Sequence, residues 1–68
     1  MARLLSSAQV ADLLQAHGFA LVSQQGSHIK YRDLHGHTVI VPSGRREVPR
    51  GTLASIMRQS SLPKELFN

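Results

Sequence analysis

Apolar residues recur along the chain with two different periods. Val10, Leu13, Leu14 and His17 follow the i, i+3, i+4, i+7 spacing of one helix face. Ser6 and Gln9 precede them with the spacing of a capping box, in which the serine hydroxyl and the glutamine side chain satisfy free amides at a helix start. Gly18 is placed to end that helix with positive φ. The pattern predicts a first helix over Ser7–His17. Phe19–Gln24 reads as a strand, apolar at its start and polar toward Gln25 and Gly26. Gly26-Ser27 is a turn. From His28 to Asp33 the period becomes two, with Ile29 and Tyr31 on one side and His28, Lys30 and Arg32 on the other.

Thr38–Val41 is a third strand, closed by Pro42, and His35-Gly36 supplies the hairpin turn before it. The register of this hairpin stays open: a two-residue turn pairs Tyr31 with Ile40, whereas a three-residue turn brings Tyr31 alongside Val39 and Val41. Ser43–Arg50 forms a basic loop, and Pro49 favours the first turn of a second helix. Leu53, Ile56 and Met57 mark the core face of that helix, and Ser60-Ser61 ends it. Pro63–Phe67 forms a last short turn, with Leu66 and Phe67 covering the core edge. The order α-β-β-β-α predicts an α+β fold: a three-stranded antiparallel sheet with both helices packed on one face, because each strand offers one apolar face. The other face is left open to solvent. At the level of fold this resembles the double-stranded-RNA-binding domain, which does not by itself give a function.

Composition narrows the picture. A chain of 68 residues makes one domain, here read as 1–68. A domain this short buries about 60% of the surface its unfolded chain exposes, so its core is thin. The absence of cysteine removes disulfides and thiolate metal sites as supplements to that core. No apolar run approaches the roughly 20 residues needed to cross a membrane. Met1–Leu5 is too short for the apolar core of a signal peptide, so the expectation is a soluble cytoplasmic protein with no membrane partner. Eight Lys and Arg against four Asp and Glu give a formal charge of +4, which suits a polyanion, nucleic acid first, and equally suits plain solubility.

Where the charge sits is more telling. His28 follows a Gly-Ser turn on the same strand face as Lys30 and Arg32. RNA is cleaved without a metal when a base takes the proton of a 2′-hydroxyl, which then attacks the adjacent phosphate. Histidine, with an ordinary pKa of about 6.5, is the side chain best matched to that task near neutral pH. Charge building on the phosphate oxygens requires donors, and Lys30, Arg32 and the turn amides of Gly26 and Ser27 are of the right kind. The competing reading of His28 is a solvent-facing histidine on a polar strand face.

The stretch Gly26-Ser27-His28-Ile29-Lys30-Tyr31-Arg32 resembles the signature of the HicA-like toxins, the small mRNA-cleaving partners of HicB-type antitoxins. So do Val39-Ile40-Val41-Pro42 and Glu47-Val48-Pro49-Arg50-Gly51-Thr52-Leu53. The similarity runs on through Ile56-Met57-Arg58-Gln59 to Glu65 and Phe67, and the helix from Ser6 ending in His17-Gly18-Phe19 fits the family's opening. The resemblance implies a metal-independent endoribonuclease without cofactor, with a double-stranded-RNA-binding-domain-like fold and His28 as its single catalytic histidine. It also implies a HicB-like antitoxin covering the active site, and makes Tyr31 a core residue. One departure is visible: the hairpin turn often reads His-Pro-Asp-Gly in such proteins, and here it is Asp33-Leu34-His35-Gly36. This affects the expected turn geometry and leaves the site intact.

The remaining cations and histidines divide by position. Arg45, Arg46 and Arg50 crowd the loop leading to the second helix, where they read as a phosphate clamp or as a solvated loop. Amides near Gly51 and Thr52 would add to phosphate binding. His35 and His37 lie at the far end of the hairpin from His28, and as a pair without a third ligand they make a poor metal site, so none is expected. His17 reads as a helix-end histidine. Phe19, Tyr31 and Phe67, the only aromatic residues, all fit the core and leave no stacking platform for sequence-specific reading. The expected function is therefore an mRNA-cleaving toxin centred on His28, with Gly26, Ser27, Lys30, Arg32, Arg45, Arg46 and Arg50 binding substrate. The alternative is a non-catalytic RNA-binding module of the same fold.

Overall fold

A computed structural model of the chain describes residues 4–67, so the reading of residues 1–5 as lacking a signal core falls mostly outside it. The elements are α1 (Ser7–Ala16), β1 (Ala20–Gln25), β2 (His28–Arg32), β3 (Thr38–Pro42), α2 (Arg50–Ser60) and a closing 3-10 turn, Lys64–Phe67. This is the expected α-β-β-β-α order. The sheet is antiparallel throughout, in the order β1-β2-β3.

Local chemistry explains the helix ends. The Gln9 N–H donates to Ser6 Oγ at 3.1 Å while the Ser6 N–H donates to Gln9 Oε1 at 2.9 Å, completing the capping box. Caps of this type stabilise a helix by about 1 kcal/mol. At the other end Gly18 sits at φ 91°. Its N–H reaches the Gln15 carbonyl at 3.3 Å and the Phe19 N–H reaches the Leu14 carbonyl at 2.9 Å, the paired bonds of a Schellman turn. The turn delivers Phe19 into the core beside Leu14.

The second helix departs from expectation at its start. Pro49 lies at the N-cap, outside the first turn, and its carbonyl accepts the first helical bond from the Leu53 N–H at 2.8 Å. The proline ring sets φ to −57° there, and its missing N–H sacrifices nothing at a position with no intrahelical acceptor. At the far end Ser61 adopts the left-handed conformation, φ 59°.

The hairpin register falls on the second of the two alternatives. Tyr31 pairs with Val39, Ile29 with Val41, and Arg32 with Thr38. The Asp33 carboxylate accounts for the wider loop. It accepts the His35 N–H at 3.1 Å, the His37 N–H at 2.8 Å and lies 2.8 Å from His37 Nδ1. This register also keeps Tyr31, Val39 and Val41, each at most 2% exposed, on one face. A slip of one residue would turn both valines to solvent. On that face they meet Val10 and Leu14 of α1, Leu53 and Ile56 of α2, Val48 of the intervening loop, and Phe67. Both helices thus cover the same side of the sheet, and His28, Lys30 and Arg32 lie on the other.

Candidate functional site

Alternation along β2 sends His28, Lys30 and Arg32 away from the core. Across the sheet, His28 lies between Gln25 of β1 and Pro42 of β3, and Lys30 between Ser23 and Ile40. Together Ser23, Gln25, His28, Lys30 and Ile40 line a shallow cavity of about 120 Å³ on the open sheet face. The cavity holds one imidazole, one ammonium, one hydroxyl and one amide over a single apolar side chain, a donor-rich set suited to an anion.

The turn before His28 is braced from two sides. Gly26 takes φ 57°, the left-handed region that favours glycine. The Gln24 side-chain amide donates to the Gly26 carbonyl at 3.3 Å. The Ser27 carbonyl accepts the Ser43 N–H at 2.7 Å, which fastens the start of the basic loop to the turn. Ser43 is two residues from Arg45, whose backbone is tied down in turn by Ser7. The Ser7 N–H donates to the Arg45 carbonyl at 3.0 Å, and the Ser7 hydroxyl accepts the Arg45 N–H at 3.0 Å while donating to the Pro42 carbonyl at 2.6 Å. The loop therefore has a defined path beside the His28 turn.

The remaining candidates are spread out. Arg32 stands at the opposite end of β2 from His28, where its Nε donates to Thr38 Oγ1 at 3.2 Å. Arg46 lines a separate, wide depression of about 560 Å³ with Leu4, Gln9 and Glu47. Arg45 and Arg50 are exposed, Arg50 in the first turn of α2, where no side chain caps the free amides and no acidic residue opposes an anion. The structure thus groups His28 with Lys30 and separates both from Arg32 and Arg46.

Histidines outside the site have their own partners. His17 caps α1, its Nδ1 2.9 Å from the Leu13 carbonyl. His37 pairs with Asp33, and its ring lies edge-on to that of His35 at 6.2 Å. Burial raises the Asp33 pKa, but hydrogen bonds from the His37 ring and backbone, the His37 charge and the His35 N–H together hold the carboxyl below its ordinary value. Tyr31 is buried, and burial, with a smaller contribution from the Asp12 charge, pushes its phenol up. Among the described residues no group of three or more His, Asp or Glu side chains is placed to hold a metal ion, and no helix is long and apolar enough to cross a membrane.

Ser23, Gln25, Gln24 and Ser7 were not singled out by sequence reasoning. For Gln25 a signal existed: a two-residue turn at Gly26-Ser27 makes it the mirror partner of His28. Counting further fails, because a bulge between Leu21 and Ser23 shifts the register.

In comparison with known families, the model for the HicA toxin of bacterial toxin–antitoxin systems matches residues 7–62, a span that contains every residue of the cavity and the basic loop. No curated protein sequence matches the chain.

Proposed function

Because the chain belongs to the HicA toxin family of bacterial toxin–antitoxin systems, we propose that it is the toxin of such a pair and an endoribonuclease that cleaves mRNA in the cytoplasm, with His28 as its catalytic group. The observation that carries this reading is the placement of His28 beside Lys30 in an open, donor-rich cavity on the uncovered sheet face. An RNA strand needs such a face, and the basic loop pinned next to it extends the binding surface.

In the proposed reaction the His28 imidazole accepts the proton of a ribose 2′-hydroxyl. The freed oxygen attacks the neighbouring phosphorus, and negative charge builds on the phosphoryl oxygens of the five-coordinate species. The Lys30 ammonium and the amides of the Gly26-Ser27 turn stabilise that charge. The bond to the 5′-oxygen then breaks, leaving a 2′,3′-cyclic phosphate, and the departing oxygen takes a proton from the imidazolium or from solvent. No step requires a metal or cofactor. Arg45, Arg46 and Arg50, with Arg32 at the other end of β2, hold flanking phosphates without reading bases. A HicB-like antitoxin silences the toxin by covering this face.

One observation favours the alternative of a non-catalytic RNA-binding module: the cavity contains a single histidine, and His37 lies about 13 Å or more along the sheet from His28 at the usual strand rise. Cleavage of a long RNA in excess EDTA decides between them. The wild type should cut, and His28→Ala should bind RNA yet cut about 10²–10⁴-fold more slowly, the usual worth of a general acid–base group. Binding by both proteins with cutting by neither would overturn the catalytic assignment and leave the binding module. Equal cutting by both would assign the activity to a contaminant.

A further inference from the structure

The two edges of the sheet are treated differently. On β3 the Ile40 N–H donates to Gln59 Oε1 at 3.2 Å, and the Pro42 carbonyl accepts the Ser7 hydroxyl at 2.6 Å. Pro42 has no N–H to offer, so side chains from both helices and a proline close that edge. On β1 nothing comparable is present among the described residues. All six of its residues are exposed, including Leu21 at 52% and Val22 at 48%. No charge and no proline lies within Ala20–Gln25, so the usual guards of a free edge are missing apart from the bulge at Val22.

Position adds meaning to this edge. Gln25 and Ser23 of β1 are the direct neighbours of His28 and Lys30. A strand added to β1 would run about 4.8 Å outside it and about 10 Å from β2, within reach of Lys30 for a long side chain. The four acidic residues of this chain are Asp12, Asp33, Glu47 and Glu65, none of them on β1 or β2. A second copy pairing β1 with β1 would bring another charge of +4, with no carboxylate on its own β1 or β2 to set against Lys30. An acidic partner fits the surface; a second copy does not.

We infer that β1 is the docking strand for the antitoxin, which adds an extended segment to this edge, covers Leu21 and Val22 with apolar side chains and sets carboxylates against Lys30 and Arg32. This rests on the reading of the chain as the toxin of a pair. Inhibition then follows from placement, since the added segment lies beside the His28 cavity and competes with RNA for its cations.

The test uses the full chain with a HicB-type antitoxin, scored by amide hydrogen exchange and by titration calorimetry. Complex formation should slow exchange across residues 20–25. Leu21→Ser, an uncharged change at an exposed position that removes the apolar contact, should weaken antitoxin binding at least tenfold while leaving RNA cleavage unchanged, and Val22→Ser should do the same. Unchanged exchange over 20–25 in a formed complex would overturn the inference, as would wild-type affinity of Leu21→Ser. A concentration-dependent dimer of the chain alone, abolished by Leu21→Ser, would assign the edge to a second copy and equally overturn it. Catalysis is scored separately, so a chain that binds antitoxin through β1 yet cuts no RNA would sink the nuclease reading alone.

Discussion

Ser7→Ala isolates the device that holds the basic loop in place. Ser7 is 9% exposed, and its hydroxyl joins three segments by donating to the Pro42 carbonyl at 2.6 Å and accepting the Arg45 N–H at 3.0 Å. Alanine removes both bonds and leaves a carbonyl and an amide in a partly buried position. At about 1 kcal/mol for each bond the loss is about 2 kcal/mol, rising to about 3 if no water replaces the hydroxyl. Alanine returns about half a kcal/mol through its better helix propensity, so the net cost is about 1.5–2.5 kcal/mol. A domain of this length is stable by roughly 3–10 kcal/mol, and a melting midpoint moves by about 4–8 °C per kcal/mol at this size. Thermal denaturation followed by circular dichroism should therefore show a fall of about 6 °C at the least. Amide exchange at Arg45 should rise together with it, because that N–H loses its acceptor. The matched Ser6→Ala variant loses an exposed cap worth about 1 kcal/mol and should be the milder of the two. A fall of less than about 3 °C for Ser7→Ala, with Arg45 still protected, would refute the claim that this hydroxyl pins the loop.

Four further outcomes follow from other sites. The folded pKa of Asp33 lies below its ordinary 3.8, so its stabilisation is complete above that value and is lost as pH falls through the lower folded value; Asp33→Asn should flatten the acid limb of a stability–pH curve below about pH 4. Ser61 pays the steric cost of φ 59°, so Ser61→Gly should stabilise by about 0.5–1 kcal/mol in urea unfolding. Phe67, 2% exposed, closes the core from the last turn; Phe67→Ala should cost about 3–5 kcal/mol in urea unfolding and lower the melting midpoint by about 12 °C or more. Alanine at Arg45 or at Arg50 should weaken RNA binding evenly across sequences and lower the slope of log affinity against log salt by about one, measured by fluorescence anisotropy.

The parts of this molecule that were legible in the sequence are those decided within a few residues. The Ser6–Gln9 box, the Gly18 turn and the alternation from His28 to Arg32 each rest on neighbours, and the structure places them as read. The hairpin register was open for an equally physical reason: it depends on the three bonds gathered by the Asp33 carboxylate, which no alternation pattern reveals. Pro49 was misplaced by one position because its ring suits the N-cap and the first turn alike. Ser7 stayed hidden because its partners lie 35 and 38 residues away.

The same distinction runs through the candidate site. His28 and Lys30 share a face by the pleat of one strand, so two residues of separation suffice to bring them together. Arg32 shares that face in sequence, yet two more steps of the same strand carry it out of the cavity and onto Thr38. The residues that complete the cavity, Ser23 and Gln25, come from a strand whose pairing is broken by a bulge. That bulged strand is also the more exposed edge of the sheet, and the helix packing accounts for the exposure. α1 and α2 both pack against β3, so the helical cover is concentrated at one side of the sheet and β1 projects past it. Leu21 pairs with the buried Tyr31 yet remains half exposed. One packing choice therefore leaves His28 accessible on the outer face and leaves β1 beside it open to a partner strand. Any partner that completes the sheet at this edge must arrive next to the His28 cavity.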